Sequence, residues 1–207
     1  MDTYTINLIG PPGTGKTTVA ARLFSELKIL GHTAEWVPEY AKQLTRDGKR
    51  GADKLNNQYA ISMRQAEMLD AVHGKVRFVV TDGALLNGVY YNVRNPDNVS
   101  DARKTHAAIA RRYNRHRNIN IFLERGNYAY ETEGRRQSEA EAKAMDADFL
   151  RCMAETGAGI TMFTSDMKHI PDMIAAIHRQ VELGDANNQM FEDACDFYFE
   201  EPSPRVN

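Results

Sequence analysis

The 207-residue sequence contains few cysteines and no long apolar segment. Its two cysteines, Cys152 and Cys195, do not form a CxxC motif, which argues against both a disulfide framework and a zinc site. No apolar run approaches the ~20 residues needed to cross a bilayer. The N-terminal residues also lack the basic-then-apolar layout of a signal peptide. These absences predict a cytoplasmic protein without a membrane partner.

Hydrophobic residues make up 42% of the chain and charged residues 26%, the ordinary mixture of a globular domain. This composition excludes collagen-like and fully disordered proteins. The net charge of −2 is unevenly distributed, because residues 103–117 carry six basic side chains and no acid, whereas residues 185–207 carry six acids against Arg205. Two interpretations are open: the basic segment binds a polyanion such as DNA, or the segments are a solvated helix face and a frayed terminus.

Strand and helix patterns alternate along the chain. The sequence predicts strands at 4–9, 33–37, 76–81, 119–123 and 160–163. It predicts helices at 19–30, 59–72, 101–117, 138–157 and 170–184. Strands that alternate with helices form a parallel sheet covered on both faces. We therefore expect an α/β fold with a five-stranded parallel sheet.

A glycine-rich motif lies between the first predicted strand and the first predicted helix. Residues 10–17, GPPGTGKT, match G-x-x-x-x-G-K-[ST] at every fixed position. The glycines let backbone N–H groups surround phosphate oxygens, and the helix that follows points its positive end at the same anion. Lys16 is expected to reach the β- and γ-phosphates, and the Thr17 hydroxyl to bind Mg²⁺. The motif predicts a P-loop NTPase that binds ATP and Mg²⁺ through Gly10, Pro12, Gly13, Thr14, Gly15, Lys16, Thr17 and Thr18.

Two acids follow consecutive predicted strands. Glu39 follows the second strand and Asp82 follows the third. Ligands of parallel α/β sheets bind beyond the carboxyl ends of the strands, so both acids are expected to face the bound phosphates. One carboxylate can hold Mg²⁺ while the other accepts the proton of an attacking hydroxyl. We assign Asp82 to the metal and Glu39 to the base, although the two roles could be exchanged.

A polar segment at about 124–137 separates the fourth strand from a well-capped helix. Arginines in such a loop suit a lid that closes over the transferring phosphoryl group, where they stabilise charge and exclude water. Arg135 and Arg136 are the best candidates, and Arg125 is better placed to anchor the hinge. The predicted organisation is therefore one P-loop domain at 1–184, which includes this lid, and an acidic tail at 185–207.

Four elements together carry a resemblance to a known family. They are the GPPGTGKT loop, Pro-Glu-Tyr-Ala at 38–41, the Thr-Asp pair at 81–82 and Gly-Arg-Arg-Gln-Ser-Glu at 134–139. Over residues 4–183 the chain resembles the P-loop kinases similar to the nicotinamide riboside kinase domain of NadR, which are sometimes grouped with small AAA-like ATPases. The resemblance implies that Lys16 and Thr17 hold ATP, that Asp82 serves metal and catalysis, and that Arg135 or Arg136 contacts phosphate. Val80 stands where that family often has a first aspartate.

Two functional classes fit these motifs. The first is an ATP-dependent phosphotransferase acting on a hydroxyl of a nucleoside- or nucleotide-like acceptor, either free or as a modified base within DNA bound by the basic helix. The second is an ATPase switch that transfers phosphate only to water. The sequence contains no Asn-Lys-x-Asp motif, so a GTPase is not expected. Tyr90, Tyr91 and Asn92 are expected either to line the acceptor site or to pack in the core. The sequence does not fix the oligomeric state.

Overall fold

The computed structural model describes residues 2–48, 51, 53–131 and 137–183. Its strands are β1 Tyr4–Ile9, β2 Ala34–Val37, β3 Phe78–Thr81, β4 Arg117–Glu124 and β5 Thr161–Thr164. They pair in the order β2-β3-β1-β4-β5, and every pairing is parallel. The predicted five-stranded parallel sheet is therefore confirmed. All carboxyl ends of the strands lie along one edge of the sheet.

Helices connect the strands. They are α1 Lys16–Ile29, α2 Tyr40–Arg46, α3 Gln58–Asp70, α4 Leu85–Arg94, α5 Ala102–Tyr113, α6 Glu139–Ala144, α7 Asp146–Glu155 and α8 Ile170–Leu183. Short 3-10 turns lie at Asp53–Asn56 and Met167–His169. None of the helices in the described ranges is long and apolar enough to cross a bilayer.

The sheet is buried on both faces. On one face, helices α1 and α8 pack Leu23 and Met173 against Ile6, Val80 and Ile121. On the other face, helices α3, α4, α5 and α7 cover the sheet with a second cluster that includes Ile9, Val79, Ile109, Phe122 and Phe149. Strand β3 is covered on both sides, and its residues FVVT are mostly apolar, as expected for a strand of a parallel sheet. Strand β1 alternates Thr5 and Asn7 with apolar residues before it ends in Leu8 and Ile9, and that pattern predicted it.

The structure corrects two helix predictions. Helix α5 ends at Tyr113, so the basic segment 103–117 is not one helix, and Arg117 instead opens β4 opposite Tyr4. The helix predicted at 138–157 is divided at Met145 into α6 and α7. At that division the Arg125 guanidinium donates to the Ala142 carbonyl at 2.6 Å, an oxygen that an unbroken helix would use to accept from the N–H of residue 146.

Candidate active site

The phosphate loop connects β1 to α1 at the carboxyl edge of the sheet. Gly13 and Gly15 have φ values of 79° and 82°, in the left-handed region that glycine adopts without strain. The Lys16 Nζ folds back and donates to the carbonyls of Gly10 at 2.6 Å and Pro11 at 2.9 Å. The loop is thus held as a closed turn by its own lysine.

The other predicted loop residues occupy different positions. The buried Thr14 hydroxyl donates to the Pro11 carbonyl at 3.0 Å. The Gly10 N–H donates to the Asn87 side chain at 3.4 Å. Thr18 is exposed in the first turn of α1, and Thr17 is half-buried beside it. The Thr17 hydroxyl faces the end of β3, where it contacts Asp82.

Asp82 lies directly after β3 and is only 1% exposed. Its Oδ2 accepts a hydrogen bond from the Thr17 hydroxyl at 2.6 Å, and its Oδ1 accepts one from the Trp36 indole N–H at 3.1 Å. The Lys42 Nζ donates to the same Thr17 hydroxyl at 3.3 Å. The sequence analysis paired Thr17 with Asp82, and the two side chains are in direct contact.

The oxygens of Thr17 and Asp82 fit the donor set that Mg²⁺ prefers. A carboxylate and a hydroxyl, completed by phosphate oxygens and water, are the usual ligands of this cation in nucleotide sites. Within the described ranges there is no group of three or more His, Cys, Asp or Glu side chains that could hold a metal. The pair suits an ion that arrives with a nucleotide.

Glu39 occupies the N-cap position of α2, two residues after the end of β2. Strands β2 and β3 are hydrogen-bonded neighbours, so the chain after β2 comes close to the chain after β3. A Cβ added to Gly83 would lie 2.8 Å from the Glu39 Cα. Glu39 and Asp82 therefore stand at the same edge of the sheet, as their positions in the sequence predicted.

A cleft of about 480 Å³ opens beside the phosphate loop. Lys16 and Pro12 line one side of it, and Glu39 lines the same cavity. The remaining walls come from α2, α3, the C-terminal part of α4 and the start of α6. The lysine of the phosphate loop after β1 and the carboxylate that follows β2 thus face one space that is large enough for a small molecule.

Comparison with known families decides the classification of the chain. A family model described as an AAA domain, AAA_28, matches residues 5–168. The chain belongs to the AAA_28 family. No curated protein matches the sequence significantly.

The fold of this AAA_28 protein is similar to those of solved kinases. Thymidylate kinase from Candida albicans is 13% identical with a TM-score of 0.50, and the match covers 92% of this chain and 97% of that chain. Deoxyadenosine kinase from M. mycoides is 16% identical with a TM-score of 0.49 and coverages of 86% and 98%. Shikimate kinase from Acinetobacter baumannii is 17% identical with a TM-score of 0.45 and coverages of 88% and 94%. The first likeness confirms the predicted P-loop fold.

The segment that follows β4 lies on the phosphate loop of the AAA_28 chain. Arg125 forms a two-pronged ion pair with Asp146, with both distances 2.7 Å, and also donates to the Pro12 carbonyl at 2.9 Å. These bonds agree with an anchoring role for Arg125. The predicted lid residues Arg135 and Arg136 and the acidic tail at 185–207 lie outside the described residues.

Two tyrosines within the predicted lid segment were given no role by the sequence analysis. The Tyr130 ring covers Gly13 and the Tyr128 ring covers Gly15, since an added Cβ would lie 2.5 Å and 2.7 Å from the respective rings. Burial, together with the Asp166 carboxylate, raises the pKa of Tyr128. The sequence feature that could have identified both tyrosines is their place in the loop after β4, at the same edge of the sheet as the phosphate loop.

The three residues considered for the acceptor site lie in different surroundings. Tyr90 and Tyr91 line the cleft. Burial, followed by the Asp148 carboxylate, raises the pKa of Tyr90 to about 12, so its hydroxyl stays protonated at neutral pH. Asn92 is 2% exposed and donates to the Ala102 carbonyl at 2.7 Å. Of the two alternatives for Asn92, the structure supports packing in the core, where this side chain joins α4 to α5.

The basic segment of the AAA_28 chain points largely away from the cleft. Arg117 pairs with the first residue of β1, so the end of α5 lies at the amino edge of the sheet. An eight-residue strand spans roughly 26 Å between the two edges. Several cations of the segment also have acidic partners: Arg112 with Asp70 at 2.9 Å, Lys104 with Asp101 at 3.7 Å and Arg117 with Asp2 at 3.8 Å.

Proposed function

We propose that this protein is an ATP- and Mg²⁺-dependent phosphotransferase that moves the γ-phosphate to a hydroxyl of a nucleoside-like acceptor bound in the 480 Å³ cleft. One observation carries the proposal: Lys16 of the phosphate loop after β1 and Glu39 after β2 line the same cavity. The γ-phosphate of ATP and the acceptor hydroxyl would meet between these two side chains. The family membership and the fold agree with nucleotide use.

Each polar group then has a defined task. Lys16 would leave its carbonyl partners to contact the β- and γ-phosphates. Glu39 would accept the proton of the acceptor hydroxyl. Asp82 and Thr17 would hold Mg²⁺, which when bound neutralises charge on the transferring phosphates. The proposed lid, with Arg135 and Arg136, would exclude water so that phosphate is transferred to the acceptor.

The charges of the cleft favour an acceptor without a phosphate group. Its carboxylates are Glu39, Asp97 and Glu141. Its cations are Lys16, Lys42 and Arg94. Lys16 is assigned to the phosphates of ATP, and Arg94 is paired with Asp148 at 2.8 Å and 3.0 Å. Among the described lining residues the three carboxylates therefore outnumber the cations left for the acceptor, and this balance favours a neutral or cationic nucleoside over an anionic one. The NadR-like resemblance makes nicotinamide riboside a member of that class to test.

A transfer assay tests this function. The protein is incubated with γ-labelled ATP, Mg²⁺ and a panel of nucleosides, nucleoside monophosphates, nicotinamide riboside, and plain or base-modified DNA. We expect a phosphorylated product, identified by mass, from a nucleoside-class acceptor. Steady ATP hydrolysis that no acceptor changes would instead support the ATPase switch, and transfer only to DNA would refute the small-molecule acceptor.

Substitution of the two carboxylates separates their roles. Glu39→Gln should lower kcat by about 10²–10⁴, the range for removal of a general base, with little change in ATP affinity. Asp82→Asn should instead shift the Mg²⁺ dependence to higher concentration. Glu35→Gln, an exposed carboxylate on β2, is the matched control and should leave both parameters unchanged. Equal effects of all three changes would contradict the assignments.

A further inference from the structure

Trp36 is the single tryptophan of the chain and lies in β2. Its register partner in β3 is Val80, two residues before Asp82. The ring is partly buried against the apolar cluster that also holds Phe24 and Val19 of α1. From this position on the α1 face of the sheet, the indole N–H reaches beyond the end of β3.

The indole N–H donates to Asp82 Oδ1 at 3.1 Å, while the Thr17 hydroxyl donates to Asp82 Oδ2 at 2.6 Å. Asp82 is 1% exposed, so water cannot replace either donor readily. A buried carboxylate requires such hydrogen bonds, and two donors on different oxygens fix its rotation about the Cβ–Cγ bond. The orientation of Asp82 is therefore set from two sides, by α1 and by β2.

We propose that Trp36 is a positioning residue that orients Asp82 toward Thr17 for Mg²⁺ binding, an inference that rests on the proposed function. The indole is a donor only and does not titrate, so it can hold Oδ1 without competing for the metal. With Oδ1 engaged, Oδ2 remains the oxygen directed at Thr17 and the phosphate loop. Outer partners of this kind orient metal ligands and tune affinity in many sites.

A purely apolar role for Trp36 predicts a different result. If the ring only fills the core, its removal would lower stability and leave the metal dependence unchanged. Two replacements separate these roles. Trp36→Phe removes the N–H together with part of the ring, and benzothienylalanine at position 36 replaces the N–H by sulfur at nearly constant shape. Phe24→Leu is the matched control, because Phe24 packs in the same cluster.

The test measures the affinity for ADP by calorimetry as Mg²⁺ is varied, together with the emission of the single tryptophan in the unsubstituted protein. The quantity compared is the Mg²⁺ concentration that gives half of the increase in ADP affinity. We expect it to rise about tenfold in both Trp36 replacements, the size of effect that loss of one hydrogen bond to a carboxylate produces, and to stay constant in Phe24→Leu. Tryptophan emission should change when Mg²⁺ and ADP are added, and this change should disappear in Asp82→Asn.

The outcomes distinguish this inference from the proposed function. If the unsubstituted protein binds ADP with a Mg²⁺ dependence that benzothienylalanine leaves unchanged, the positioning role of Trp36 is refuted while the phosphotransferase remains. If the unsubstituted protein shows no Mg²⁺-dependent ADP binding, the proposed function itself is refuted. In the Asp82→Asn background, Trp36→Phe should add no further effect, and an additional tenfold shift there would also overturn the inference.

Discussion

Replacement of Arg125 by alanine is expected to loosen the junction between the phosphate loop and helices α6 and α7. The guanidinium makes four hydrogen bonds: two to Asp146, one to the Ala142 carbonyl and one to the Pro12 carbonyl, at 2.6–2.9 Å. The Arg125 side chain is 17% exposed, whereas that of Asp146 is 41% exposed. The bonds to Arg125 are thus partly buried and link three separate parts of the chain.

The expected loss of stability in Arg125→Ala follows from this partial burial. Loss of one partner of a buried ion pair costs about 3–5 kcal/mol. Water can reach the Asp146 carboxylate and replace part of its lost hydrogen bonding. We therefore expect Arg125→Ala to lower the free energy of unfolding by about 2–3 kcal/mol. Arg125→Lys should cost about 1 kcal/mol, since an ammonium keeps the charge but not the planar pair of donors.

A double-mutant cycle in urea unfolding measures the pair itself. Arg125→Ala and Asp146→Ala should show a coupling energy of about 1–2 kcal/mol. The control is the exposed pair Arg64–Glu67 on α3, with a similar distance of 2.9 Å and 56% exposure of each side chain, where about 0.2–0.5 kcal/mol is expected. A coupling for Arg125–Asp146 that is no larger than this control would refute the argument from burial.

Two further predictions concern the loop and the pH dependence. Gly13→Ala should lower the melting temperature by more than Gly31→Ala. Both positions have positive φ, but of the two only Gly13 faces a ring, that of Tyr130. Equal losses in melting temperature would show that the Tyr130 ring moves aside without cost. Burial is the main cause that lowers the pKa of His116 from its ordinary 6.5. The unfolded chain therefore binds more protons, so the free energy of unfolding should fall as the pH drops below about 6.5, and less steeply in His116→Asn.

The sequence predicted the parts of the site that depend on local pattern and on strand order. The GKT motif, the strand before it and the acids after β2 and β3 were all visible, and the direct pairing of β2 with β3 brings those acids to one edge. Helix α4 was not predicted, although Leu85, Leu86 and Val89 recur at helical spacing. Its other buried residues include Asn87, Gly88 and Asn92, which are poor helix formers. The Trp36–Asp82 bond depends on the lateral register of two strands separated by more than forty residues, which local patterns do not encode.

The division of the predicted long helix is a second case in which tertiary contacts outweigh local preference. The capping box at Ser138 and Glu141 begins α6 as expected. The interruption at Met145 coincides with the guanidinium of Arg125, which binds Ala142 before the division and Asp146 after it. An arginine distant in sequence therefore fixes the end of one helix and the start of the next, and the same side chain contacts the phosphate loop.

Hydrogen bonds also join the proposed donor and acceptor sites. Lys42 of α2 contacts Thr17 of α1, Thr17 contacts Asp82 after β3, and Asp82 contacts Trp36 of β2. Helix α2 carries Lys42 on the wall of the cleft and begins next to Glu39. A ligand that displaces the Lys42 ammonium from Thr17 would alter the surroundings of the metal-binding pair without touching Asp82. Binding of the acceptor and of the Mg²⁺ nucleotide should consequently be coupled, and linkage requires that each changes the affinity for the other by the same factor.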